Sequence, residues 1–168
     1  GIVILLLEAE RNAAVAAAAQ LEHMAGHDVL TGLPNRLMLL ERTAQALRRA
    51  VRDRRSVAVL ALDVDGFKLL NDSLGQGLGD ELLRSIGTRL KGAVRETDTV
   101  ARLGSDEFGI LLGPVRSLRE TERVASRVEA ALADPFDLDG IELTVGAGMG
   151  IAVGSATLPH PFDLLKQA

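Results

Sequence analysis

The 168-residue sequence contains no cysteine. Disulfide bridges and thiolate metal centres are therefore excluded, which fits a reducing compartment without requiring one. It has no apolar run near the roughly 20 residues that a membrane-spanning helix needs; the longest is Ile2 to Leu7. It has no surplus of positive charge. Lys and Arg number 19 against 23 Asp and Glu, a net charge of −4, which argues against a non-specific nucleic-acid binder. No internal repeat and no signal-peptide layout are visible. The chain opens at Gly1 rather than Met and reads as a piece of a longer protein. What is present is globular: 47% of residues are apolar and 25% charged, over a length that suits one domain with a short extension.

The most distinctive stretch is Arg102-Leu103-Gly104-Ser105-Asp106-Glu107-Phe108. Apolar runs at Val100–Leu103 and Phe108–Leu112 flank a short polar segment, which predicts a β-hairpin with two adjacent carboxylates at or near its tip. Carboxylates so placed repel each other unless a cation or a donor sits between them.

In chain order, Ile2–Leu7 reads as a buried strand and Asn12–Met24, rich in Ala, as a helix. Together they suggest the last strand of a preceding domain feeding a connector helix, whose small apolar face suits pairing with a second copy. Turn signals fill Gly26–Asn35. Asn35 is placed to cap a helix from Arg36 to about Arg52. Val57–Val64 predicts a buried strand ending in Asp63-Val64-Asp65-Gly66, with Asp63 and Asp65 on one face if the strand runs that far. A short helix over Phe67–Leu74 is expected to break at Gly75, Gly77 and Gly79 before a second helix over Asp80–Val94. A polar bend, Arg95–Asp98, precedes the hairpin. A helix over Ser117–Ala133, a hairpin around Asp139-Gly140, a Gly-rich strand over Gly146–Val153 and a last helix from Pro161 to Gln167 complete the chain. Alternating helices and strands predict an α/β or α+β class with a central sheet.

Asp63 at a strand end and Asp106-Glu107 on a hairpin can converge only if their strands are neighbours. Such hard oxygen ligands suit Mg²⁺ or Mn²⁺, which take carboxylates together with substrate phosphates and waters. Gly66-Phe67-Lys68 opens a helix whose free N–H groups and ammonium suit a phosphate chain. Metal-assisted nucleotide chemistry is one reading; plain acidic turns are the other.

Four blocks together carry a resemblance. Asp28–Arg36, Leu62–Asp72, Gly75–Asp80 and Gly104–Phe108 resemble, in order and spacing, the signatures of GGDEF domains, the diguanylate cyclases. The likeness runs from about His27 to Ala168, and Leu7–Asp28 is similar to the end of a PAS sensory domain and its linker. It implies domains at 1–26 (upstream strand and linker helix) and 27–168 (GGDEF domain with an incomplete C-terminal helix). The implied fold is α+β, a central and mostly antiparallel sheet flanked by helices, like nucleotidyl cyclases and polymerase palms. The implied activity is condensation of two GTP into cyclic di-GMP and two pyrophosphates by a homodimer.

By position, Asp63, the Val64 carbonyl, Asp106 and Glu107 would hold two Mg²⁺ or Mn²⁺ ions per site. The 3′-hydroxyl proton would go to Asp106 or to a hydroxide on the metal. Phe67 and Lys68 would serve the phosphates, Gly104 and Ser105 would line the nucleotide, and Asn71 and Asp80 would read guanine. Asp80 also reads as a first-turn helix acid. Arg95 and Asp98 match an inhibitory Arg-x-x-Asp motif that would bind cyclic di-GMP, and otherwise read as a solvated bend. The family habit further implies an upstream sensory domain, a downstream phosphodiesterase in some parent chains, and a cytoplasmic location even for a membrane-associated parent. Three departures stand out. Ser105 replaces a glycine whose turn geometry and close ligand approach a Cβ obstructs. Gln76 replaces a His, and the family's Lys and Arg for the terminal phosphates do not occur by Ala168. The competing readings are a degenerate module that binds GTP or cyclic di-GMP without turnover, and a dimerisation unit without ligand.

Overall fold

The computed structural model describes residues 1–154. The helix expected over Pro161–Gln167 lies outside them.

The elements are α1 (Ile2–Gly26), α2 (Arg36–Asp53), β1 (Ser56–Val64), α3 (Phe67–Leu74), α4 (Gln76–Ala93), β2 (Thr99–Arg102), β3 (Glu107–Val115), α5 (Leu118–Ala133), β4 (Phe136–Leu138), β5 (Ile141–Leu143) and β6 (Ala147–Gly154). The main sheet has the order β2-β3-β1-β6, and β4-β5 form a separate hairpin. Every pairing among these strands is antiparallel, so the fold is α+β around a central antiparallel sheet, as expected.

Side-chain alternation along β1 divides the core in two. Ala58, Leu60, Leu62 and Val64 face α4 and α5, together with Phe108, Ile110 and Leu112 of β3. Val57 and Val59 face α2 with Leu111 and Ala152. Helix α2 packs there because Leu39, Leu47 and Ala50 recur on one face. Its start is fixed by the Asn35 side chain, which accepts from the Met38 amide. Helix α5 starts the same way, with Ser117 accepting from the Glu120 amide.

Two expectations are corrected. Ile2–Leu7 is not a buried strand: the run belongs to the 25-residue helix α1, where these side chains are 60–75% exposed. A short apolar run is ambiguous by period, and no Gly or Pro separates it from the Ala-rich segment that follows. Second, only Gly75, at φ 91°, breaks the chain between α3 and α4; Gly77 and Gly79 are helical, so α4 begins at Gln76. Strand β1 stops at Val64 as expected, and Asp65 lies in the turn to α3, its amide donating to the Gly146 carbonyl at 2.9 Å.

Candidate active site

Strand β1 is covered on both faces for most of its length and then opens. Val57 to Leu60 are buried, Ala61 is half-buried and Asp63 is exposed. The reason is the shrinking side chains on the α2 face. At Ala61 its cross-strand neighbours are Gly109 and Gly150; at Asp63 they are Glu107 and Gly148. A Cβ at Gly148 would meet nothing within 4 Å, so the surface beside Asp63 is open. The sheet thus ends in a shallow floor bordered by acids.

The strands bearing the two acidic sequences are direct neighbours. Asp63 stands opposite Glu107, and the next amide, of Val64, donates to the Asp106 carbonyl at 3.1 Å. That bond makes Val64 and Asp106 the hydrogen-bonded pair and leaves Asp63 and Glu107 as a non-bonded pair, the type in which facing side chains come closer, about 4.5–5.5 Å between Cβ atoms. Among the described residues no three His, Cys, Asp or Glu side chains gather into a group that could hold a metal ion. The donor chemistry nevertheless fits Mg²⁺, which is commonly held by one or two carboxylates, with substrate phosphates and waters filling the octahedron.

Next to the acids, Gly66 adopts the left-handed conformation (φ 66°) and opens α3 without any side-chain cap. The amides of the first turn are therefore free of a capping partner, beside exposed Lys68. Phe67 is buried in the core and anchors the turn. One turn further, the Asn71 Oδ1 is buried without a hydrogen-bond partner. It lies against Gly79 of α4, where a Cβ would collide with it. An unpartnered buried acceptor is costly, and half-buried Asp80 follows immediately in the chain. Because α4 begins at Gln76, Asp80 lies beyond the first turn, where the helix dipole no longer explains it.

At the hairpin tip, Gly104 and Ser105 are exposed. Neither is among the residues at positive φ, and a Cβ at Gly104 would approach only Glu107 Oε2, at 3.9 Å. The turn itself therefore does not demand glycine at either position.

Arg95 and Asp98 sit at the far end of β2 from this tip. The Asp98 carboxylate is fully shielded and accepts from the Arg95 amide at 2.9 Å and from its guanidinium at 3.3 and 3.4 Å. Arg95 remains 48% exposed. It lines a cavity of about 500 Å³ with Arg55, Arg116, Arg119 and Arg123.

The sequence motifs contain Asp28 and Arg102 but assign neither a role. In the fold their side chains pair at 3.1 Å. Burial pushes the Asp28 carboxyl up, but hydrogen bonds from the Thr31 hydroxyl and amide and from Arg102, with the Arg102 charge, outweigh it and hold the group below the ordinary carboxylate range. No sequence pattern could have found this pair, which joins positions 74 apart.

Residues 25–168 match the family model described as "Diguanylate cyclase, GGDEF domain". The diguanylate cyclase TpbB of Pseudomonas aeruginosa (strain UCBPP-PA14) is 42% identical over 89% of this chain. The bifunctional diguanylate cyclase/cyclic di-GMP phosphodiesterase MucR of Pseudomonas aeruginosa is 42% identical over 80% of the chain and 19% of its own length. A solved structure comprising only the GGDEF domain of TpbB superposes with a TM-score of 0.80 at 42% identity, covering 83% of this chain and 82% of that one. The chain spans about a third, 35%, of the length of TpbB.

Proposed function

The chain belongs to the GGDEF family of diguanylate cyclase domains, and on that premise we propose that it condenses two GTP into cyclic di-GMP, releasing two pyrophosphates. The observation that carries the reading is the pairing of Asp63 with Glu107 across adjacent strands, at the end of the sheet where Gly148 on the other side of Asp63 leaves the surface open.

Asp63, the Val64 carbonyl, Asp106 and Glu107 would hold divalent ions, Mg²⁺ or Mn²⁺, two per site. When bound, the ions neutralise phosphate charge and favour departure of pyrophosphate. The uncapped start of α3, with Lys68, receives the phosphate chain. Asn71 and Asp80 read guanine: the carboxylate accepts from adjacent N1–H and N2–H donors, and the orphan Asn71 oxygen gains a partner. Asp106 accepts the proton of one 3′-hydroxyl. That oxygen bonds to the α-phosphorus of the partner's GTP while the bond to the β-phosphate breaks, and the reciprocal step closes the ring. Each copy in a homodimer brings one GTP.

Residues 1–26 serve as a linker helix below an upstream, PAS-like sensory domain, and 27–168 form the GGDEF domain. The exposed apolar side chains of α1 support pairing with a second copy. No described helix is long and apolar enough to cross a membrane; the demand for GTP favours a cytosolic setting, even for a membrane-associated parent. A phosphodiesterase domain downstream is a further expectation, as MucR's name suggests for that relative. Product inhibition is assigned to Arg95 and Asp98: the half-exposed Arg95, paired with Asp98 and beside Glu120, borders a cavity whose other arginines suit anionic cyclic di-GMP. Undiminished cyclic di-GMP affinity of Arg95→Ala by calorimetry would reject that site.

The test is incubation of the full-length protein with GTP and Mg²⁺ and chromatographic detection of cyclic di-GMP. Synthesis that disappears in Asp106→Ala supports the reading. GTP binding without turnover at high protein concentration replaces it with a regulatory binding module, and absence of nucleotide binding leaves only dimerisation.

A further inference from the structure

Asp28 and Arg102 lie where three parts of the chain meet. The last turn of α1 is tied to the following loop by Asn35, whose Nδ2 donates to the Ala25 carbonyl at 2.7 Å and whose amide donates to the Gly26 carbonyl at 2.9 Å. Within that loop the Asp28 amide donates to the Leu33 carbonyl at 2.7 Å, and the Arg102 amide to the Pro34 carbonyl at 2.9 Å. The Arg102 side chain then bridges outward. Its Nη1 donates to both Asp28 carboxylate oxygens, at 3.1 and 3.2 Å, and its Nη2 to the Ser105 carbonyl at 2.9 Å.

The hairpin tip is otherwise fixed by two backbone bonds, from the Leu103 amide to the Glu107 carbonyl at 2.8 Å and from the Val64 amide to the Asp106 carbonyl at 3.1 Å, and neither reaches Ser105. Ser105 is exposed, so its carbonyl has no packing to hold it. The guanidinium is not: the Arg102 side chain is only 15% exposed, its partner's 20%, and its Nε is buried with no acceptor. A group that has lost water and left one N–H unpaired is held in place by its other two contacts. Those contacts join the foot of α1 to the residue before Asp106.

We propose that Arg102 is a positioning residue for cyclic di-GMP synthesis: braced on Asp28, it holds the Ser105 carbonyl and thereby sets the turn that presents Asp106 and Glu107. The proposal rests on the cyclase reading for its chemistry. It also makes the α1 junction mechanically continuous with the acidic tip, so displacement of the linker helix reaches Asp106 through two side chains. The requirement is for a fork. Lysine keeps the charge but offers one nitrogen, which cannot occupy both the Nη1 and Nη2 positions.

The experiment uses the full-length protein with Arg102→Lys, Asp28→Asn and the double variant. Initial rates against GTP concentration, melting temperature and amide hydrogen exchange are read for each. In Arg102→Lys, kcat is expected to fall about tenfold or more, with KM for GTP changed less than about threefold, because misplacement of a catalytic group costs rate rather than ground-state binding. Amides of Leu103 and Val64, which donate to the Glu107 and Asp106 carbonyls, exchange faster while those of Val57 to Leu62 do not. The double variant is no worse than Arg102→Lys, since both residues act through one contact. Wild-type kcat together with wild-type exchange at Leu103 and Val64 overturns the proposal, as does a uniform rise in exchange with activity falling only in step with melting temperature. If Arg102→Lys does not fold, Asp28→Asn, nearly isosteric, carries the same readouts, and the same outcomes support or overturn the bridge. If the wild type makes no cyclic di-GMP, the cyclase reading fails, and the local exchange comparison decides the Arg102 bridge by itself.

Discussion

Glu107→Gln should make the protein more stable while abolishing its activity. Asp63 and Glu107 face each other as a non-bonded cross-strand pair, and like charges so placed destabilise a sheet. Two charges about 5 Å apart in water repel by about 0.8 kcal/mol. Both residues are exposed, so salt near 0.15 M, with a screening length of about 8 Å, cuts this to roughly half. A domain of this size shifts by about 2–4 °C per kcal/mol, which places the expected gain at about 1–2 °C without divalent metal, widening as ionic strength is lowered.

Adding Mg²⁺ reverses the order. At about 10 mM, with a dissociation constant of about 1 mM, binding stabilises the wild type by about 1.4 kcal/mol, and the variant, short of a ligand, gains less. Scanning calorimetry across salt and Mg²⁺ reads both effects in one series. A wild type that is the more stable form without metal, a gap indifferent to salt, or Mg²⁺ shifts equal in the two proteins would each refute the reasoning.

Gly79→Ala gains about 1 kcal/mol of helix propensity but drives a Cβ into Asn71, at an overpacking cost of about 1–3 kcal/mol. The expected result is a melting temperature unchanged or slightly lower, with GTP affinity down about tenfold by calorimetry, the equivalent of one lost hydrogen bond. Ser105→Gly should lower stability by about 0.5–1 kcal/mol, measured by urea unfolding, because the turn needs no positive φ and glycine only adds unfolded-state freedom. Phe108→Ala, at a fully buried position of β3 opposite Leu62, should cost about 3–5 kcal/mol in the same assay. The Asp28 carboxyl is held below its ordinary range, so the stability it contributes is complete above the unfolded value near 4 and lost as pH falls through the lower folded value. Melting curves over acid pH should show Asp28→Asn lacking that part of the decline.

Much of the fold is legible in the sequence because local signals and tertiary demands agree. The Asn35 cap, the β-branched run of β1 and the Asp139-Gly140 turn each specify their structure within a few residues. The apolar start of α1 misleads because six such residues fit a buried strand or a helix equally; only the unbroken Ala-rich continuation decides. Gly77 and Gly79 mislead as helix breakers because glycine signals freedom and close approach alike. Gly79 is small on account of Asn71, a contact between two helices that no periodic pattern encodes. The acidic pairing is legible in kind, since strand ends must lie side by side somewhere, but its register comes only with the sheet. The Asp28–Arg102 bridge is not legible at all: it is a contact between two charges whose neighbours in sequence explain them otherwise.

The placement of the acids follows from what covers the sheet. A strand buried on both faces cannot carry a carboxylate without a partner, and β1 carries one only where its cover has ended and its neighbour on β6 is the open Gly148. The same thinning that makes Asp63 tolerable makes room for a ligand beside it. Opposed carboxylates on an open floor are then a local instability that a cation relieves, and stability and ligand demand arise from one arrangement. Ser105 is compatible with it because the tip has no positive φ there and contacts Arg102 through a backbone carbonyl, which any residue supplies.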